Sequence, residues 1–378
     1  MTPNQTNTSS PTPRAPGFNW RLPVLLAIAV ILTAALWTAL LRLGWDIPPV
    51  AGATAVEHGA LMVSGFLGTL ISLERAVALK HRWTFVGPIL SGLGALVIVA
   101  GLPPIIGRSL LLAGSIGLVA IFTYIYRRHP SIDAGVMGVG SVLWLAGNIL
   151  WWLNQPIAHA VPWWAAFMVL TISGERLELA RVLRLTPLVK RLFIGANAVI
   201  IAGLLLSLAY FELGVRVSGA GLLMLSLWLI RFDIARRTIR MTGLTRYIAA
   251  CLLPGYFWLG GAGIMWMLYA PFYSGGLYYD AMLHMIFLGF VFSMIFGHAP
   301  IILPAVLGIP VNYHPAFYAH LILLHATLAL RVIADLLLSS ELRQWTGMLN
   351  VVAVLLFIGV TAWTVRKNRS AAVSGRLP

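Results

Sequence analysis

Residues Asp280–Pro304 read DAMLHMIFLGFVFSMIFGHAPIILP, an apolar segment long enough to cross a lipid bilayer as one helix. The segment carries two histidines, His284 near its start and His298 near its end. Ionisable side chains inside a membrane are costly, so both histidines are candidate functional residues. At about 100° and 1.5 Å per residue, they lie on roughly the same side of a helix, about 21 Å apart. The helix would therefore offer one metal-binding side chain to each half of the membrane.

The composition of the whole chain is that of an integral membrane protein. Of its 378 residues, 60% are hydrophobic and only 10% are charged. The formal net charge of +15 would also suit a nucleic-acid partner. Arginines and lysines in cytoplasmic loops explain this charge, however, and we predict no nucleic-acid partner. The single cysteine, Cys251, excludes an internal disulfide and any cysteine-ligated iron–sulfur or zinc site within the chain.

Twelve apolar segments of about 20 residues predict an all-α integral membrane fold with twelve transmembrane helices. They form one membrane domain over 21–368, between a disordered cytoplasmic tail at 1–20 and a cytoplasmic tail at 369–378. The loops after even-numbered segments are rich in Arg and Lys, whereas loops 154–162 and 271–279 contain neither. Both termini are therefore predicted to face the cytoplasm, in a multi-pass protein of a bacterial-type inner (plasma) membrane. The predicted segments are 22–43, 51–79, 85–103, 107–126, 134–153, 161–181, 190–211, 217–235, 245–270, 278–304, 314–338 and 346–366.

A weak internal repeat relates segments 2, 6 and 10. HGALMVSGFLGTLISLER begins at His58, and HAVPWWAAFMVLTISGER begins at His159. In both, Ile-Ser-x-Glu-Arg follows the histidine after thirteen residues. Segment 10 has His284 at the matching place, with Gly297 and His298 in place of the later motif. Because these segments are four apart, the pattern predicts pseudo-threefold order of four-helix units. Chance similarity between apolar helices is the alternative.

The depth of His58 and His284 suggests a shared site. Segments 2 and 10 run in the same direction, and both histidines fall in the predicted outer half at nearly equal depth. Two neutral imidazoles at equal depth can ligate one haem iron from opposite faces. The alternative is two separate histidines bonded to backbone or hydroxyl groups. Nearby glycines would leave room for a flat macrocycle or would serve ordinary helix packing; they are Gly59, Gly65, Gly68 and Gly289.

A second group of histidines lies in the predicted inner half. His298 and His320 fall at similar depth, and His325 lies about 7.5 Å further toward the centre. These three could form a site for a metal (copper, for example), a second haem or a quinone headgroup. His320 and His325 diverge by about 140° around one helix, so they cannot readily serve the same compact site. Hydrogen-bonded packing is the alternative.

Two arginines are candidates to bind the carboxylates of a haem whose edge faces outward. Arg331 is the first candidate and Arg42 the second. In the alternative, Arg331 pairs with Asp335 one helical turn away or extends to the membrane interface. The pairs Glu74-Arg75 and Glu175-Arg176 lie about 25 Å from the outer histidines and are interpreted as ion pairs at the inner interface.

These features resemble subunit I of the haem–copper oxidases, and more closely the smaller NnrS-type membrane proteins. That resemblance implies twelve helices, termini inside, pseudo-threefold order and low-spin haem ligands on helices 2 and 10. His58 within EHGALM and His284 within DAMLHMIF match those two ligands. The stretch HMIFLGFVFSMIFGH is similar to the His…Gly…GH pattern of NnrS-type proteins. The resemblance thus implies haem b, held by His58 and His284.

The sequence departs from the oxidases where their copper ligands lie. Segment 6 has only His159 at its mouth and segment 7 has no histidine, so neither oxygen reduction nor proton pumping is predicted. The first functional hypothesis is a haem-binding redox protein for electron transfer or nitric oxide, with a quinone or a redox protein as partner besides membrane lipid. The sequence is also compatible with an oxidoreductase that lacks the copper site of the oxygen reductases. The alternatives are a secondary transporter without haem, with a broken helix at Pro254-Gly255 or Gly260-Gly261, and an assembly protein that delivers haem or copper.

Overall fold

The predicted segments correspond to twelve long helices. The structure, a computed structural model, describes residues 21–50, 53–307 and 311–373. Twelve of the helices described are long and apolar enough to cross a membrane, which confirms an all-α, twelve-helix membrane fold. We name them α1–α12 in chain order: Arg21–Arg42, Ala55–Leu79, Arg82–Val99, Pro104–Arg128, Ile132–Trp152, Ile157–Leu183, Pro187–Ser207, Phe211–Phe232, Gly243–Phe272, Gly276–Pro304, Phe317–Leu336 and Ser340–Lys367.

Helices α8 and α12 begin about two turns earlier than their hydrophobic segments, at Phe211 and Ser340. Each contains a glutamate in its first turn, Glu212 or Glu341. Carboxylates stabilise the positive end of the helix dipole, so the helices extend through polar turns that hydropathy does not detect. At the C-terminus the helical backbone continues to Val373, so residues 369–373 of the predicted tail are helical. The predicted tail 1–20 and residues 374–378 lie outside the described residues.

Helices α2, α6 and α10 form the centre of the bundle. Their most apolar windows are 72%, 89% and 67% buried, whereas the other nine spans are between 22% and 56% buried. The three helices contact one another: Phe66 of α2 stacks on Phe292 of α10, and Arg75 of α2 donates to Glu175 of α6. The three most buried helices are therefore four positions apart along the chain, as the repeat predicts.

Two of these central helices contain π-helical segments. The first, Leu61–Leu67, lies one turn after His58 in α2. The second, Met285–Phe292, follows His284 directly in α10. A π segment changes the direction in which the following side chains point, and such segments are frequent at functional sites. Hydrophobicity alone gives no sign of them.

Helix α9 stays continuous through Pro254, since one helix covers Gly243–Tyr269. The break at Pro254-Gly255 or Gly260-Gly261 that the transporter alternative suggested is therefore absent from this part of the described chain. The glycines of α9 serve packing instead. A Cβ atom added at Gly260 would lie 2.7 Å from Ser226 Oγ, and one added at Gly263 would lie 2.6 Å from the Gly219 carbonyl oxygen. Close helix contact of this kind is the common use of small residues in membranes.

Candidate functional site

His58 is placed by the start of α2. Thr54 and Glu57 form a capping box, in which the Glu57 carboxylate accepts from the Thr54 backbone N–H at 2.9 Å. One short turn later the chain reaches His58. The cap fixes where the helix begins and therefore which way His58 points. His284 lies on α10, at the last residue of the α-helical part before the π segment.

The structure brings His58 and His284 together. Their ring centroids lie 6.4 Å apart, and the ring planes differ by only 14°. His58 Nδ1 is 2.9 Å from the Ala35 carbonyl oxygen of α1, and His284 Nδ1 is 2.8 Å from the Asp280 carbonyl oxygen. A carbonyl only accepts, so both Nδ1 atoms carry the proton and each Nε2 atom has the lone pair. Metal-binding histidines usually have this arrangement.

A cavity surrounds the two histidines. The space between the lining side chains amounts to about 1100 Å³ when the open mouth is included. Most of its wall is apolar, with Met62, Phe287 and Phe292 among the larger side chains. The charged lining residues are Arg42, Asp280, Arg331 and Arg343. Three cations therefore face one carboxylate, which suits an apolar ligand with anionic groups at one edge.

Arg331 is anchored by Asp280 of the neighbouring helix α10. Its Nε and Nη2 donate to the two Asp280 carboxylate oxygens at 2.7 and 2.9 Å, and its Nη1 donates to Asn350 at 3.3 Å. Its Nη2 also lies 3.4 Å from His284 Nε2. The expected alternative, pairing with Asp335 on the same helix, is wrong because the Arg331 guanidinium is held by Asp280. Arg331 therefore lies beside the histidine pair, where it was predicted to act.

Asp335 of α11 is a fully buried carboxylate near Asp280 and Arg331. Both of its oxygens lack a hydrogen-bond donor among the described residues. Arg343, in contrast, extends toward the cluster from α12, with Nη1 3.7 Å from Asp280 Oδ1. An unpaired buried charge is costly, so the Asp335 side chain is not a source of folding stability in its charged form.

His298 lies at the other end of α10 and has partners of the same kinds as His284. Its Nδ1 donates to the Met294 carbonyl oxygen at 2.7 Å, and its Nε2 lies 3.4 Å from Nη1 of Arg176. Arg176 is buried and donates twice to Asp233, at 2.9 and 3.0 Å. Glu175 and Arg176 were interpreted as an ion pair of the inner interface. The structure instead pairs Arg176 with Asp233, buried against His298, and Glu175 with Arg75.

His320 and His325 form hydrogen bonds with side chains other than His298. His320 Nε2 is 3.0 Å from the Tyr247 hydroxyl, within a group of aromatic side chains. His325 Nδ1 accepts from Trp258 at 2.9 Å, so its Nε2 carries the proton and is not available as a metal ligand. In the described ranges, no group of three or more His, Cys, Asp or Glu side chains is arranged to hold a metal ion. The structure therefore does not assemble the predicted second metal site at His298, His320 and His325.

Of the glycines considered for a macrocycle, only Gly59 lines the cavity. A Cβ atom added at Gly65 would lie 2.9 Å from Ala95. At Gly68 it would lie 2.2 Å from Trp144, and at Gly289 2.5 Å from Trp258. The last three therefore serve helix packing, the alternative given for them. Gly59 has one neighbour at ordinary contact distance and leaves the wall beside His58 open.

Sequence reasoning missed several residues of the site. Asp280 and Asn350 were not predicted to contact Arg331, nor Arg343 to contact Asp280, although a carboxylate four residues before His284 was a usable signal. The third repeat-related histidine, His159, stacks on Phe211 with 4.2 Å between ring centroids and is not among the residues lining the cavity. It therefore serves as a natural control for the other two.

A family model matches almost the whole chain, over residues 21–366, and its description is "Domain of unknown function (DUF8744)". The chain therefore belongs to that family. No curated protein matches the chain.

Proposed function

We propose that this member of the DUF8744 family is a haem-binding membrane redox protein in which His58 and His284 ligate one haem b. The observation that carries the proposal is the geometry of the two imidazoles. Metal–imidazole bonds of about 2 Å would place the centroids of two opposed rings roughly 6 Å apart. The ring centroids are 6.4 Å apart, and both Nδ1 protons are engaged by backbone carbonyls.

The donor set and the residues that line the cavity suit the chemistry of this group. A haem brings four nitrogen ligands of its own, so two histidines complete an iron site without any third protein ligand. The apolar wall beside Met62 and Phe287 suits a porphyrin face. The arginines at the rim suit its two carboxylates, because guanidinium groups bind carboxylates in pairs of hydrogen bonds. Arg42 and Arg343 are the rim arginines whose guanidinium groups are less fully engaged than that of Arg331.

The chain's own residues would hold and insulate the group. Haem b supplies one-electron exchange at its iron when bound. The carbonyls of Ala35 and Asp280 hold both imidazoles in the tautomer that leaves Nε2 free. Arg331 lies 3.4 Å from His284 Nε2, so iron ligation requires that contact to be given up, while Asp280 and Asn350 retain the guanidinium. Two histidine ligands leave no open position, which favours electron transfer over direct chemistry on a gas.

The resemblance to haem–copper oxidase subunit I and NnrS-type proteins supports the same proposal through His58 and His284. Under this proposal, nitric oxide would bind only after one of the two histidines had left the iron. We place the protein in a bacterial-type inner membrane with both termini in the cytoplasm, from the distribution of Arg and Lys. We do not propose a second metal. A quinone or a redox protein as electron partner stays a prediction, and we expect it to bind at the end of α10 near His298.

Visible spectra of the purified protein, oxidised and dithionite-reduced, test the proposal. We expect wild type to show a sharp reduced alpha band and about one iron per chain. His58→Ala and His284→Ala should both lose the band, because each removes one of the two proposed haem ligands. His159→Ala is the matched control, since it removes the repeat-related histidine that stacks on Phe211, and it should keep the band.

A colourless, folded wild type without iron would refute the haem proposal. The transporter hypothesis would then lead, with the cavity between α2 and α10 as its binding site. A band that survives in both single variants would show that another pair of residues holds the haem.

A further inference from the structure

A polar cavity lies at the Arg- and Lys-rich end of the bundle, far along the helices from the histidine pair. It encloses about 1250 Å³, including its open mouth, between the ends of α4, α5, α6 and α7. Four cations line it: Arg128, Arg181, Arg184 and Lys190. Asp133 is the one carboxylate among the described lining residues.

The single carboxylate is already engaged. Both oxygens of Asp133 accept from Arg181 Nη2, at 2.7 and 2.9 Å. The Arg128 guanidinium lies over the Tyr124 ring, 4.9 Å from its centroid. Arg184 and Lys190 make no side-chain hydrogen bond or ion pair with other residues in the described ranges. Two cations therefore remain available to a ligand at the cavity.

A second basic cavity lies on the other side of Leu185, which lines both. It encloses about 920 Å³, and its carboxylate, Asp233, is held by the buried Arg176. Its cations are Arg231, Arg236, Arg237 and Arg240. The two cavities together offer two adjacent sites of positive charge, which matches a ligand with one or two phosphate groups.

Exposed apolar side chains flank the basic residues of the first cavity in the chain. Val182 is 72% exposed, Leu188 is 65% exposed and Leu179 is 51% exposed. Leu179 and Val182 lie on α6 and Leu188 lies on α7, close in the chain to Arg184 and Lys190. The acyl chains of a lipid bound at these cations would therefore have an apolar surface to lie along. Basic pockets between membrane helices on the cytoplasmic side commonly bind lipid headgroups of this charge.

We propose that this pair of cavities is a binding site for the headgroup of an anionic glycerophospholipid, with its phosphate at Arg184 and Lys190. The acyl chains lie along α6 and α7. A lipid with two phosphates reaches both cavities and binds more tightly than a lipid with one. This site is separate from the histidine pair and does not depend on the haem proposal.

Native mass spectrometry of the full-length protein tests the site. The detergent-purified chain is titrated with phosphatidylglycerol, cardiolipin, phosphatidylcholine and inorganic phosphate. The double variant R184Q/K190Q removes the two available cations. The matched control R82Q/R127Q removes two exposed arginines of the same end that do not line either cavity. Thermal melting of each variant checks that it is folded.

We expect R184Q/K190Q to bind phosphatidylglycerol roughly 30-fold more weakly, since each basic residue near a lipid headgroup contributes on the order of a fivefold change. The control should change by less than about twofold. Equal weakening in both variants would overturn the proposal, because it would mean general attraction to a positive surface. Binding of inorganic phosphate as tightly as lipid would also overturn it, in favour of a soluble anion site. The haem spectrum should be the same in all variants.

Discussion

The buried pair of Arg331 and Asp280 predicts a large loss of stability when either partner alone is removed. Both side chains are 7% exposed, and hydrogen bonds of 2.7 and 2.9 Å join them. Breaking a buried pair on one side typically costs about 3–5 kcal/mol, because the remaining charge loses its hydrogen-bonded counter-charge. After Arg331→Met, Asp280 keeps only the more distant Arg343, at 3.7 Å. We expect Asp280→Asn and Arg331→Met each to lower the free energy of unfolding by about that amount. After Arg331→Met, two buried carboxylates, Asp280 and Asp335, would share the site without this guanidinium.

The double variant D280N/R331M should recover much of the loss. Replacing both members of a buried pair by uncharged groups is often close to neutral, so the two changes should be coupled by about 2 kcal/mol or more. Additive losses in the double variant would refute the reasoning.

The assay is equilibrium unfolding in mixed micelles with increasing dodecyl sulfate, followed by tryptophan fluorescence. The chain contains a matched control pair, Arg181 and Asp133, with the same 2.7 and 2.9 Å contacts but an Arg181 side chain that is 58% exposed. Solvent screening limits such a pair to about 0–1 kcal/mol. If Asp133→Asn costs as much as Asp280→Asn, burial is not the cause of the effect.

Three further predictions use the same unfolding assay. Asp335→Asn should leave stability unchanged or raise it, because the native carboxylate is buried without a donor among the described residues; a loss above about 2 kcal/mol would reveal a partner. Gly203→Ala should cost about 1–3 kcal/mol or more, since its Cβ atom would lie 2.3 Å from the Ser218 backbone nitrogen. Gly195→Ala, with open space around it, should be neutral or slightly stabilising. Ser64→Ala should cost about 1–3 kcal/mol, because it removes a 2.7 Å donor to Asn148 and the acceptor of Trp144; a neutral effect would mean that water replaces the hydroxyl.

Hydrophobicity predicted the helices because the bilayer requires it. A backbone without water must satisfy its own hydrogen bonds, so each apolar run of sufficient length becomes a helix. The boundaries at α8 and α12 were missed where a polar first turn continues the helix. The π segments after His58 and His284 could not be predicted, since an apolar residue has the same hydropathy in an α-helical and a π-helical turn.

The repeat was found in the sequence, but only the fold shows that the repeated motifs contact one another. The Ile-Ser-x-Glu-Arg motifs of α2 and α6 meet, with Arg75 of the first bonded to Glu175 of the second. Arg176 of the second motif reaches His298, which lies in the corresponding region of α10. The three related segments are therefore neighbours at the centre of the bundle, and each contributes a polar side chain to the next.

The sequence by itself determined the class of protein, the number of spans and the histidines to be examined, because membrane burial is costly for ionisable groups and depends on local hydrophobicity. The tertiary structure alone decided which of those groups meet. Arg331 is bound by Asp280 from another helix and not by Asp335 of its own, and His325 is bound by Trp258. Partners across helices depend on the rotation of each helix about its axis, and that rotation is set by packing between helices, which the order of residues along one segment does not specify.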